Sequence, residues 1–309
     1  MNKTLKNITI AAAAALICIS TARAVDEGKP VREKIGSGAV DWSSGTVSAS
    51  AVAKYPKAIE DMDEDDAKLK AERVATVMAR RNILEIVKGV RVESKTVVND
   101  MMVSKDVIRT TVEGLVENSK VVNTEHLPDR SVRVTVEMSM RGRLSKELLD
   151  NLSPEKKGTF RRMIEETKKA ALQFIDGILS AGSTAEAKVD EKSLPTGLII
   201  DATELKVKPG LFPKIYDKDG NVIYGPGIYD NGTASEKGSV GIASSIEEAK
   251  KDTARLGKVA LVSKALIPTG AGGIDLGIQG VDLSTLKGMM EDPATLKKCG
   301  VSVVYKLTF

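Results

Sequence analysis

His126 is the only histidine in the chain, so any imidazole chemistry would have to run through "NTEHLPD", residues 123–129. Acid–base work needs a positioned partner within hydrogen-bond reach, and the local sequence offers none. His126 therefore reads as a surface residue in a turn between two strands. Asp61, Asp63, Asp65 and Glu72 fall at positions 1, 3, 5 and 12 of a calcium-loop pattern, whose sixth position requires glycine. Here that position is Asp66, and Lys68 stands where an apolar residue is usual. An acidic helix start accounts for the same residues. Asp217, Asp219 and Asn221 read as a hairpin turn. "TGAGGID" (269–275) is glycine-rich but lacks the Lys-Ser/Thr pair of a phosphate-binding loop. "NGT" at 231–233 is a glycosylation sequon by letter only. No Ser-His-Asp, Cys-His or zinc-ligand set can be assembled. The sequence thus assigns no catalytic, cofactor-binding or metal-ligating residue, and the expectation is a protein that is not an enzyme and needs no cofactor.

The N-terminus speaks to location. "MNKTLKNITIAAAAALICISTARAVDEG" places Lys3 and Lys6 ahead of an apolar run from Ile8 to Ile19, then Ala22-Arg23-Ala24. That is the pattern of a secretory signal peptide over 1–24, cut between Ala24 and Val25. The run is shorter than the roughly 20 residues of a permanent span. Lipid attachment at Cys18 is disfavoured, because Ile17 stands where a small residue is usual. The chain carries 46 basic against 42 acidic residues. Removing Lys3, Lys6 and Arg23 leaves 43 against 42, a net of +1. With no basic tract interleaved with aromatics, a nucleic-acid surface is not expected. Cys299 is then the only cysteine left, so no internal disulfide can form, and burial is its expected state. Aromatics at 3% argue against an outer-membrane barrel, which needs aromatic girdles. "VSVVYKLTF" reads as the last strand of a soluble sheet.

The elements that would position these residues show two periodicities. A helix from about Asp65 to Lys88 places Ala71, Val74, Ala75, Met78, Ala79, Ile83, Ile86 and Val87 on one side. Acidic residues 60–66 suit the positive end of its dipole, Arg80 and Arg81 lie on the solvated face, and Gly89 ends it. "AVDWSSGTVSASA" predicts a strand pair around Ser43-Ser44-Gly45. "VRVESKTVV", "VIRTTVEGLVENSKVVNTEHL" and "RSVRVTVEMSMRG" all alternate, and the last puts Val132, Val134, Val136 and Met138 on one face. One apolar and one wet face predicts an antiparallel sheet covered on one side, with the helix as cover. Residues 144–179 predict helix broken near Ser153-Pro154, and 180–197 a linker. From Gly197, "GLIIDATEL", "KVALVSKALI" and "GIDLGIQG" predict strands, "LFPKIYDKDGNVIYG" a hairpin turning at Asp219-Gly220, and Ser245 with Glu248 a capping box for a helix over 246–255. Residues 282–299 predict short helices, and "VSVVYKLTF" closes the sheet. The fold class is α+β: a helix-on-sheet domain over 38–150, a helical connector and linker over 151–196, and a mixed α+β domain over 197–309.

The span Trp42–Leu148 resembles the lipoprotein-20 family domain, which is similar to the N-terminal part of flagellar assembly protein T. The residues that carry this are "DWSSGTVSASA", "AERVATVMARRNILEIVKGVRVESKTVV" and "VIRTTVEGLVENSKVVNTEHLPDRSVRVTVEM". The C-terminal half, through "TGLIIDATELKVKPGLFPKIYDKDGNVIYG", "KALIPTGAGGIDLGIQGVDLSTLKGM" and "LKKCGVSVVY", resembles a tail found in some proteins of that group. The resemblance implies a non-enzymatic envelope protein, sometimes part of flagellar basal-body structures, and transfers no catalytic residue. Family members commonly carry an acylated N-terminal cysteine; this sequence has the Ala24 cleavage pattern instead.

The expected function is a periplasmic structural or interaction protein of the cell envelope, with other envelope proteins or a second copy as partners, and with no nucleic acid and no membrane span after cleavage. Two alternatives stay open: an outer-membrane lipoprotein anchored through Cys18, and a carboxylate-based metal-binding protein.

Overall fold

A computed structural model describes residues 29–56, 63–152, 195–217, 219–267, 273–279, 288–289, 295 and 298–306. The signal segment with Ala24, Val25 and Cys18, the acidic Asp61, residues 153–194 of the expected connector, most of the helices expected over 282–299, and Phe309 lie outside the described residues.

Helix α1 spans Glu64–Lys88. Glu64, Asp65 and Asp66 fill its first turn and Lys88 its last, each sign matching the dipole end it faces. Ala67, Ala71, Ala75 and Ala79 recur every fourth residue and continue into Ile83, Ile86 and Val87, all buried. Small side chains on that line let the helix lie close on the sheet. Val74 and Met78, expected on this face, are exposed, because the alanine line sets the contact and both residues fall on its flank. Arg80, expected in solvent, is half-buried and its Nη2 donates to the Ser119 carbonyl at 3.4 Å.

Five antiparallel strands lie under α1 in the order β1 (Arg32–Ile35), β2 (Gly38–Asp41), β3 (Thr46–Lys54), β7 (Ser131–Ser139), β6 (Lys120–Leu127). The β3–β7 ladder runs without a break from Thr46↔Ser139 to Lys54↔Ser131. Period two turns Val47, Ala49, Val132, Val134, Val136 and Met138 into the core. Gly38 is required where β2 passes under the helix: an added Cβ would sit 2.2 Å from the Ser48 carbonyl and 2.6 Å from Ile86 Cδ1.

One expected strand is a helix. After the short hairpin β4 (Arg91–Glu93) and β5 (Thr96–Val97), the chain forms α2 (Val98–Ser104) and α3 (Asp106–Glu117) before β6 begins. Ile108, Thr111, Val112 and Val116 are buried, which is helical spacing. The β-branched composition suggested a strand, and the exposed Val107 completed a false alternation. Packing against α1 and α4 (Arg143–Asn151) decides the outcome.

The second half is built on a mixed seven-stranded sheet. Its members are β8 (Gly197–Asp201), β9 (Ile215–Tyr216), β10 (Val222–Tyr224), β11 (Gly241–Ala243), β12 (Ala260–Leu266), β13 (Leu276–Gln279) and β14 (Val301–Val304), ordered β10-β9-β13-β12-β8-β14-β11. β8 runs parallel to both β12 and β14. All four residues of β14 and the Gly-Leu-Ile-Ile run of β8 are buried, as strands covered on both faces require. β14 lies inside the sheet, between β8 and β11. Helices α5 (Asn231–Lys237), α6 (Ile246–Lys251) and α7 (Thr253–Leu256) accompany this sheet. The helix expected over 246–255 is interrupted at Asp252, whose side chain caps α7 by accepting from Arg255 N. The capping interactions of α6 are offset by one residue: Ser245 Oγ accepts from Glu248 N at 3.1 Å, while Glu248 Oε2 accepts from Ser244 N at 2.9 Å. The chain is α+β throughout, and no described helix is long and apolar enough to cross a membrane.

The halves share a core. One cluster of buried side chains runs from Val47, Ile83 and Val134 through Leu148 to Phe212, Ile200 and Val303. Leu211 N donates to Arg91 O at 2.9 Å, Phe212 N to Val92 O at 3.1 Å, and Gly142 N to Ser235 O at 2.7 Å. A smaller cluster, Ile199, Ala243, Ala249, Leu256 and Val304, fills the other face of the second sheet.

Candidate interaction surface

Most residues singled out for chemistry are occupied by structure. His126 lies on β6, not in a turn, and it has partners: Nδ1 meets the Tyr55 hydroxyl at 2.8 Å, and Nε2 lies 3.3 Å from Glu72 Oε1. The group ties β6 to α1 and to the end of β3. Sequence spacing could not show it, since the contacts span 54 to 71 residues. Glu72 is thereby engaged, and Asp65 pairs with Lys68 at 3.2 Å. Among the described residues no group of three His, Cys, Asp or Glu side chains is arranged to hold a metal ion. Asp217 closes the β9–β10 turn, accepting from Asp219 N at 2.9 Å and Asn221 N at 2.8 Å. Asn231, Gly232 and Thr233 form the first turn of α5, with Asp230 accepting from Thr233 N at 2.8 Å. Cys299 is buried and free, as expected. Burial pushes its thiol above the ordinary range, which leaves it a poor nucleophile near neutral pH.

Two charge clusters hold the junction. Glu33 accepts from Arg91 Nη2 at 2.6 Å and Trp42 Nε1 at 3.1 Å, with Lys208 Nζ at 3.4 Å. Arg91 Nε also reaches Pro209 O at 2.8 Å, and its guanidinium stacks 5.4 Å from the Trp42 ring centre. Burial alone would raise the Glu33 pKa; the bond and charge of Arg91, with Trp42 and Lys208, bring it below the usual carboxylate value. Lys214 Nζ meets Glu93 at 2.8 Å. Burial alone would lower Lys214, but Glu93 and Asp275 carry it above the usual lysine value. In the second half Arg255, 5% exposed, fixes three carbonyls: Gly238 at 3.0 Å, Cys299 at 2.9 Å and Lys237 at 2.6 Å. Tyr224 donates to the Ser239 carbonyl and packs 5.1 Å from Tyr229. These clusters are structural: each charge is matched by a neighbour within the fold.

The unmatched surface lies at the edge of the first sheet. β6 is an outermost strand, and every residue from Lys120 to His126 is exposed. Val121 and Val122 are 42% and 46% exposed. Val122 is the extra residue of a bulge, since Val121 pairs with Val136 and Asn123 with Thr135. Along the outer edge of β6 no backbone group finds a partner among the described residues. Eight residues is long for an exposed edge, a feature natural sheets usually shorten or cover. Val74, Val77 and Met78 leave further apolar surface on α1, and the far face of the sheet carries Ser48, Ser50 and Thr135 with no element of the described residues over it; Ser50 and Thr135 bond at 2.8 Å. "SKVVN" was the only sequence sign of this edge, and it reads equally well as an interior strand.

Residues 197–306 match the family described as Treponema pallidum Tp0624, second domain. The match begins on the first residue of β8 and ends just beyond β14, so it takes in the whole seven-stranded sheet. No curated protein matches the chain. The second half of this chain is similar to that second domain.

Proposed function

We propose that the protein is a non-catalytic interaction protein of the cell envelope, exported through the signal segment ending at Ala24, and that β6 is the edge on which an extended strand of a partner envelope protein adds. The observation that carries this reading is the long outer edge of β6, with Val121 and Val122 in water and its backbone donors and acceptors unpaired among the described residues. Strand addition supplies main-chain hydrogen bonds for affinity and side-chain alternation for selectivity. The resemblance of Trp42–Leu148 to the lipoprotein-20 domain supports an envelope-assembly role, the flagellar basal body being one setting for it.

The test combines location with a surface substitution. The tagged chain is expected in the periplasmic or envelope fraction, in a native complex larger than the monomer. Val121→Lys with Val122→Lys, which leaves the core untouched, is expected to release it as monomer with an unchanged melting temperature. Retention in the cytoplasm, or an identical elution for both proteins, would overturn the reading.

A further inference from the structure

A second, smaller feature lies where the halves meet. A crevice of about 30 Å³ opens between Trp42, Gly45 and Arg141 of the first half and the segments 210–212 and 238–242 of the second. Two independent observations converge on it.

The first is a cation with no direct ion pair among the described residues. Arg141 lies over Gly45, where an added Cβ would come within 2.7 Å of its Nε. Among the described residues its guanidinium makes one hydrogen bond, from Nη2 to the Ser43 carbonyl at 2.8 Å, although the group carries five N–H donors. No described carboxylate lies within ion-pair distance of it. The nearby acids are engaged elsewhere, Asp41 with Arg32 at 2.8 Å and Asp252 with Arg255 at 3.3 Å. Burial, and then the charge of Arg255, hold Arg141 below the ordinary arginine value, with Asp252 and Asp41 pulling the other way. Its remaining nitrogens are not sealed from solvent.

The second is a run of orphan backbone donors. The N–H groups of Gly210, Gly238, Ser239 and Val240, all lining the crevice, donate to no acceptor among the described residues. Ser239 and Val240 are buried, and buried N–H groups without a partner are rare and costly. The neighbouring carbonyls are used: Gly238 O accepts from Arg255 and Ser239 O from Tyr224. A crevice rich in donors and poor in free acceptors is the complement of an oxyanion.

We propose that this crevice binds a carboxylate group, held by the free edge of the Arg141 guanidinium and by backbone N–H groups of the 238–240 segment. A planar guanidinium takes a planar carboxylate through two parallel bonds. The small volume and the flanking Trp42 and Phe212 suit the head of a short carboxylic acid better than a tetrahedral, multiply charged phosphate. Because the lining comes from both halves, an occupied crevice ties them together.

The experiment uses the full chain after signal removal. Sodium acetate is titrated at fixed ionic strength against chloride, with inorganic phosphate as the comparison, and backbone amide resonances are followed by NMR. Saturable shifts at Gly210, Gly238, Ser239 and Val240 with acetate are expected. Arg141→Gln is expected to weaken binding by about tenfold or more, and Arg141→Lys, which keeps the charge but loses the fork, by less. Should Arg141→Gln fail to fold, the wild-type shifts and Arg141→Lys carry the test. No saturable shift with acetate, equal shifts with chloride, or binding of phosphate alone would overturn the assignment.

Discussion

In the first half, β3 and β7 turn Val47, Ala49, Val134 and Val136 toward α1 and leave Ser48, Ser50 and Thr135 on a face that no described element covers. In the second, β8 and β14 bury both of their faces, the first cluster filling one side and the second cluster the other. The first sheet is wholly antiparallel, two hairpin units, β1-β2-β3 and β6-β7, joined by the long-range β3–β7 ladder; the centre of the second depends on parallel pairs. The difference teaches where a surface for partners can be kept. A sheet covered on one side retains a free face and a free edge, whereas a sheet sandwiched on both sides spends its strands on the interior. Glu33 with Lys208, Arg91 with the Pro209 carbonyl, and Glu93 with Lys214 then fasten the open half to the closed one.

The comparison is tested most severely in the core. Ile83→Ala in the first half and Ile200→Ala in the second each empty a fully buried site, and each is expected to cost about 2–5 kcal/mol. Because both belong to one cluster, both should shift a single unfolding transition in denaturant. Two separate transitions, each sensitive to one variant only, would divide the halves.

Next in size is the helix that looked like a strand. Thr111→Lys and Val112→Lys each place a charge in the interior and are expected to cost about 3 kcal/mol, while Val107→Lys should stay within about 0.5 kcal/mol. Adjacent residues that are both sensitive fit a helix face and not a strand, in which neighbours point to opposite sides.

At the junction, Arg91→Gln leaves Glu33 without its main partner, and a loss of about 2–3 kcal/mol is expected, below the range for fully buried pairs. The pH dependence follows. Glu33 is held below its ordinary value in the folded protein, so its contribution is present above the unfolded carboxylate range and fades as pH falls through the folded pKa. Arg91→Gln should flatten that acid limb. At the other end Lys214 is raised, so its contribution is complete below the ordinary lysine range and fades as pH climbs through the folded value. Tyr224, Tyr229 and Tyr305 are also pushed up by burial, so folding should weaken above about pH 10 as the unfolded phenols ionise. Ultraviolet titration should show these phenols ionising only as the protein unfolds. The smallest effect is expected at His126, where replacement by Ala removes exposed contacts to Tyr55 and Glu72 and should cost about 0.5 kcal/mol in thermal unfolding.

Where one periodicity ran clean, the sequence told the fold. The alternation of Val132, Val134, Val136 and Met138 placed β7, and the alanine and aliphatic steps from Ala71 to Val87 placed α1. It misled where packing outvoted composition, as in α3, whose threonines and valines favour strands locally yet lie on a helix wedged against α1 and α4. It was silent where the deciding contact is distant: nothing in "NTEHLPD" announces Tyr55 and Glu72, and nothing near Arg91 announces Glu33 or Pro209. The open edge of β6 was equally hidden, because Lys120–Leu127 reads as a strand whether or not a neighbour covers it. The Arg141 crevice needs four separated segments to come together, which no spacing rule can foresee.

The claim that β6 is the working surface is tested most directly by placing a photo-cross-linking amino acid at Val121, Val122 or Asn123 in living cells, with Val103 and Val262, exposed elsewhere, as controls. Adducts of higher mass from the three β6 positions, and none from the controls, are the predicted result. No adduct from β6, or adducts of equal yield from every position, would contradict it.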